Sequence, residues 1–178
     1  MIVYTLGHST LAPESFLDLV RAHGILGIAD VRRFPASRRH PHFAREALGD
    51  ALAAAGVAYA WLPGLGGRRH GQRDSPHVAW TNAAFRAYAD HMETAEFRDT
   101  LAWLIETSRS TPTAVMCAES LWWRCHRRML ADALGAAGCD VRHVMEGGRI
   151  EAHRLSPSLR IEGGDLVYDV PEGQQELR

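Results

Sequence analysis

Between Cys117 and Arg127 lie a thiol, a carboxylate, a second thiol, an imidazole and a guanidinium: Cys117, Glu119, Cys125, His126 and Arg127. A thiolate, not a thiol, is the nucleophile, and a helix N-terminus or a nearby cation lowers a thiol's pKa. Cys117, with Arg124 and Arg127 close in sequence, is therefore a candidate nucleophile. The plainer reading makes it a small buried apolar residue. Glu119 would be its reactive partner, and His126 either a proton carrier or a cap for local backbone groups. A phosphatase-type loop would carry arginine where Trp123 stands, so that chemistry fits poorly. Zinc also fits poorly. Single-chain zinc sites use close pairs such as Cys-x-x-Cys, whereas adjacent residues such as Cys125 and His126 point about 100° apart on a helix. No metal or other cofactor is expected. Oxidative joining of Cys117 to Cys125 is a further reading.

Asp30 is a second carboxylate that could work with Glu119, or be tied up by Arg32 or Arg127 in a salt bridge. His8 and Ser9 follow the first apolar run, but no G-x-S-x-G turn marks a serine nucleophile. Arg32, Arg38, Arg39, Arg68, Arg69 and Arg73 fall in loops that also hold Ser37, Gly66, Gly67 and Gly71. Glycine lets backbone N–H groups approach an anion, and guanidinium forks match phosphate oxygens. The expected binding set is His8, Ser9, Arg32, Ser37, Arg38, Gly66, Gly67, Arg68, Cys125 and Arg127. Loop 62–71 carries no P-loop or dinucleotide fingerprint. Trp61, Trp80, Trp122 and Trp123 are either core or platforms for a base.

These residues need a scaffold, and the apolar patterning supplies one. Strands are expected at Ile2 to Leu6, Ile25 to Val31, Val57 to Leu62, Thr113 to Met116 and Val141 to Met145. Helical spacing falls between them: after Pro13, over Phe43 to Ala55, over Asn82 to Met92, over Glu96 to Ser108, and after Cys125. Gln72 to Trp80 is polar and aperiodic, a loop. Repeated strand–helix–strand units imply an α/β fold of three layers, a mostly parallel sheet with helices on both faces. Residues after strands one to four then share one rim, where open α/β sheets bind their ligands. The Gly147-Gly148 and Gly163-Gly164 signals imply short antiparallel hairpins in a C-terminal extension, 147–178, of a single domain spanning 1–178.

The chain has 178 residues and a net charge of -1. That length buries roughly 70% of the unfolded surface, and that charge argues against whole-protein attraction to nucleic acid. All 20 basic residues are arginine, which reads as composition bias. Three cysteines make no disulfide framework, no apolar run approaches the ~20 residues of a membrane span, and the start reads as a strand. A cytoplasmic, reducing setting without membrane contact is the expectation.

Several motifs occur in a fixed order: Tyr4-Thr-Leu-Gly-His-Ser9, Asp30-Val-Arg32 with Pro35 and Ser37-Arg38, Leu62-Pro63 with Leu65-Gly-Gly67, Phe85-Arg-Ala-Tyr88, Met116-Cys-Ala-Glu119 and Cys125-His-Arg127. Together they resemble the DUF488 family of small prokaryotic proteins over about 1–146. The resemblance implies a compact α/β fold and brings no assigned activity. The leading expectation is an enzyme, a hydrolase or transferase, taking a small phosphorylated or nucleotide-like ligand or nucleic acid at the strand rim. Its catalytic set would be Cys117, Glu119, His126 and Asp30. The rivals are a non-catalytic module for phosphorylated ligands or nucleic acid, and a thiol redox sensor. No oligomeric state follows.

Overall fold

Strands β1 (Ile2–Gly7), β2 (Gly27–Asp30), β3 (Ala58–Trp61), β4 (Thr113–Cys117) and β5 (Asp140–Val144) run parallel in the order β3-β2-β4-β1-β5. A sixth strand, β6 (Ile150–Ala152), pairs antiparallel with β5 and closes that edge. These details come from a computed structural model that describes residues 1–36 and 38–169.

The helices fall on two faces according to the direction of travel. Helices α1 (Pro13–Ala22) and α2 (Arg45–Ala54) carry the chain from β1 out to β3. They bury Phe16, Val20, Leu48 and Leu52 against Leu6, Ile28, Ala114 and Met116. Helices α3 (Ala83–Met92), α4 (Ala95–Ser110) and α5 (Arg127–Ala136) bring it back to β5. They cover the other face, where Val3, Ala29, Val115 and Cys117 point. Successive strand residues alternate between the two cores, as the pleat requires. One handedness of crossover puts outward connections on one face and returning ones on the other.

Local chemistry sets the ends. Pro13 opens α1. The Asn82 side chain accepts from Ala84 N and Phe85 N, and Thr94 accepts from Phe97 N, capping α3 and α4. The expected helix from Phe43 starts later. Pro41–Phe43 forms a short 3-10 turn, and α2 begins at Arg45 after the extended Ala44. In the C-terminal extension, β7 (Leu159–Glu162) and β8 (Asp165–Tyr168) form a separate antiparallel hairpin. Tyr168 is its anchor. It is buried beside Trp80, its O–H donates to Asp132 Oδ2 (3.0 Å), and its carbonyl accepts from Ala79 N (2.9 Å).

Parallel pairing continues past β1. His8 N donates to Cys117 O and Ser9 N to Ala118 O. Gly7 makes this possible, since a Cβ there would lie 1.8 Å from Glu119 O. Any side chain at Gly7 would force β1 and the cysteine loop apart.

Candidate functional site

A cavity of about 520 Å³ opens at the carboxyl ends of β2 and β4, walled by the loops after β2 and β3 and by the starts of α3 and α5. Of the residues expected there, Arg32, Gly67, Arg68, Cys117, Glu119, Cys125 and His126 line it. Arg33, Phe34, Phe85, Tyr88 and Arg124 line it too and had not been assigned to the binding set. His8, Asp30, Gly66, Arg38 and Arg127 are absent from its wall, Ser9 lies in a smaller cleft on another side of β1, and Ser37 lies outside the described residues.

Asp30 and Arg32 explain each other. Two residues apart at the end of β2, they form a buried fork: Arg32 Nε donates to Oδ1 (2.9 Å) and Nη2 to Oδ2 (2.5 Å). Arg32 N and Tyr59 O–H complete the shell around the carboxylate, so Asp30 has little capacity left to act as a base. Burial and the Asp30 charge push the Tyr59 hydroxyl well above its usual pKa. Arg32 Nη1 also donates to Phe43 O (2.7 Å) and sits 3.2 Å from His8 Nε2. His8 stacks on Phe43, and its Nδ1 contacts Ser9 O (3.0 Å). A neutral imidazole protonated on Nδ1 satisfies both neighbours. Burial, then the Arg32 charge, lowers the His8 pKa to about 4.

The two thiols lie side by side in the cavity wall. Cys117 ends β4, Cys125 precedes α5, and the sulfurs stand 3.1 Å apart. Both are free and buried. Two sulfurs this close share one proton, and their surroundings decide which keeps it. Burial, and donation to Cys125, hold Cys117 protonated. The Cys117 hydrogen bond, His126 (Nδ1 3.4 Å from Cys125 Sγ) and the Arg127 charge pull the Cys125 pKa well below the thiol range, outweighing burial. The preferred thiolate is thus Cys125 rather than Cys117. His126 is held against Tyr88, ring centroids 5.0 Å apart, and over Gly67, where a Cβ would lie 3.0 Å from Nδ1.

Glu119 is exposed and accepts from Leu121 N (3.1 Å), which turns the loop. Arg127 is fully buried. Its Nη2 donates to the carbonyls of Glu119 and Ser120, bracing that loop from behind, and its Nη1 reaches Thr5 Oγ1 (3.4 Å). From Thr5 a buried chain runs on: Thr5 Oγ1 to His143 Nδ1 (2.7 Å), His143 Nε2 to His153 Nδ1 (3.0 Å), and His153 Nε2 to Asp132 Oδ1 (2.9 Å). Trp122 stacks flat on His143, centroids 4.1 Å apart. Burial, then the neighbouring His153 and Arg127, lowers the His143 pKa to about 3. Sequence reading missed this chain, because its members are scattered from Thr5 to His153.

Around the thiols the cavity presents Arg32, Arg33, Arg68 and Arg124 against one carboxylate, Glu119. The side chains of Arg33, Arg68 and Arg124 make no hydrogen bond or ion pair with another described residue. Arg68 adopts φ 59°, a conformation that costs a non-glycine residue of order 1–3 kcal/mol. Phe34 is 65% exposed on the rim. Among the described residues no group of three or more His, Cys, Asp or Glu is placed to hold a metal ion, and no helix is long and apolar enough to cross a membrane.

A family model described as "Domain of unknown function DUF488" matches residues 12–134, most of the chain. The chain belongs to that family. The match includes both cysteines and the arginine loops and leaves out the His8 segment and the C-terminal hairpin. No curated protein and no solved structure matches significantly.

Proposed function

We propose that this DUF488 chain binds an anionic, nucleotide-like ligand in the cavity and acts on it through the Cys125 thiolate, as a hydrolase or group transferase. The observation that carries the reading is the 3.1 Å sulfur pair set in a wall with three unpaired guanidiniums. Guanidiniums favour phosphate oxygens, and Phe34 and Phe85 offer aromatic faces to a base. Cys125 sulfur bonds to the electrophilic centre, and the leaving group departs with the bonding pair and takes a proton from His126. Water then attacks that centre, gives a proton to His126 and releases Cys125 as thiolate. Cys117 donates its hydrogen bond to Cys125 throughout. Asp30, Arg32 and Arg127 are positioning residues that shape the loops.

The test is the rate of alkylation by iodoacetamide, resolved by residue with mass spectrometry across pH. Cys125 should react with a midpoint well below that of an ordinary thiol, and nucleoside monophosphates should slow it. A Cys125 midpoint in the ordinary thiol range, with no protection by nucleotides or phosphorylated sugars, would end this reading.

The same sulfur contact favours a second one, reversible disulfide closure. A peroxide would take two electrons from the Cys117 thiol and the Cys125 thiolate, together with the one proton they hold, and leave as water and hydroxide. Loss of both free thiols after one equivalent of hydrogen peroxide, restored by dithiothreitol, supports it. Retention of both thiols rules it out.

A further inference from the structure

The thiol cavity does not stop at Phe34. A second cavity of about 350 Å³ lies beyond it, and the two share Arg33, Phe34 and Arg68 as common wall. They form one trough with an aromatic and two unpaired cations at its middle. Two other basic groups of the second cavity, Arg69 and His91, are committed inward, while His70 is exposed. Arg69 donates to Gly66 O, Pro63 O and Glu96, and His91 Nε2 contacts Gly64 O (2.7 Å). Its carboxylate, Asp90, is buried and accepts from Gln72 N (2.8 Å). Against the one exposed carboxylate, Glu119, the free charge of the trough is cationic on balance and concentrated on Arg33 and Arg68, with Arg124 farther along, in a protein whose net charge is -1.

We infer that the trough binds single-stranded nucleic acid, with Phe34 stacking on a base where the two cavities meet and Arg33 and Arg68 contacting phosphates there. This rests on the anion-binding reading above and extends it from one nucleotide to a strand. A mononucleotide has one phosphate cluster and leaves the second cavity unused. A phosphate-only polymer would leave the Phe34 ring facing water. A duplex keeps its bases stacked on each other and presents no free base face. Only an unpaired strand offers phosphates and open base faces in alternation, and aromatic stacking with a cationic groove is how such strands are held without sequence preference. Left-handed Arg68, two residues past buried Gly66, keeps a bulky cation where the turn would favour glycine, which is strain of the kind found at binding sites.

Fluorescence anisotropy with labelled eight-residue oligothymidylate and oligouridylate, against thymidine monophosphate and a blunt duplex, tests it. The strand should bind at least about tenfold more tightly than the monophosphate or the duplex. Its log K should fall with log salt, and Arg33→Ala or Arg68→Ala should each reduce the slope by roughly 0.7. Phe34→Ala, at an exposed position, should leave the circular dichroism unchanged and weaken strand binding about 5- to 100-fold, with little effect on the monophosphate. Equal affinity for monophosphate and strand, tighter duplex binding, or an unaffected Phe34→Ala overturns the inference. If the monophosphate protects Cys125 while the strand gains nothing, the inference alone fails. If no anion binds at all, the proposed function fails with it.

Discussion

The trough and the buried chain from Asp132 to Arg127 are both dense in titratable groups, and they meet where Cys125 and Arg127 flank His126. They treat charge in opposite ways. In the chain a cation at one end and an anion at the other are joined through Thr5, His143 and His153, and each link has a partner on both sides. Asp132 alone accepts from Ser156 N, Tyr168 O–H and the His153 ring. In the trough, the side chains of Arg33, Arg68 and Arg124 have no hydrogen-bond or ion-pair partner among the described residues. Satisfied polar groups in a dry interior hold a fold together, whereas unsatisfied ones at an open rim are available to a ligand. The same residue type, arginine, thus serves as brace at 127 and as open binding group at 68.

The sharpest way to break the contrast is to remove one member of each region. Asp132→Ala strips three donors of their acceptor in the core and should cost roughly 3–5 kcal/mol. Arg124→Ala in the trough should change stability by no more than about 0.5 kcal/mol. Urea titration of both reads the difference, and similar losses would dissolve the distinction.

Acid should find the satisfied regions first. His8 (pKa about 4) and His143 (about 3) are both neutral in the native state, whereas an unfolded histidine titrates near 6.5. The unfolded chain therefore binds more protons between those values, so stability is full above pH ~6.5 and falls as pH drops toward 4 and then 3. The loss per histidine is on the order of 3 kcal/mol. A stability profile flat between pH 7 and 4.5 would contradict this.

The smallest effect sharpens the comparison from the trough side. Arg68→Gly relieves φ 59° and should stabilise the protein by about 1 kcal/mol while weakening strand binding. Thermal unfolding and anisotropy on the same preparation check both signs.

The parallel sheet was readable because each strand is a compact apolar run and each helix carries a repeating stripe. The order β3-β2-β4-β1-β5 was not, since it depends on pairings such as Tyr4 with Ala114 that no local pattern encodes. Cys117, Cys125 and His126 were legible as candidates because they sit at a strand end and a helix start. Their roles were not: Cys125 gains the favoured thiolate only through a sulfur and an imidazole brought together in space. Arg32 looked like an anion clamp, but i, i+2 spacing at a strand end folds its fork back onto Asp30. Arg127 looked similar, yet as the first residue of α5 it turns toward the sheet. Phe34 was hidden in plain sight, a lone aromatic in a polar loop. Phe85 and Tyr88 had the spacing of an ordinary core stripe.

The sheet order has a consequence for how the chain is made. β1 lies between β4 and β5, and residues 8–112 separate it from the nearer of these in sequence. On a ribosome adding about 5–20 residues per second, the β4 edge of β1 waits roughly 5–20 s for its partner and the β5 edge longer. β2 and β3 can pair in that interval, but they offer β1 no edge. The strand that is made first among the six is thus sealed among the last, and the thiol cavity cannot exist before that closure.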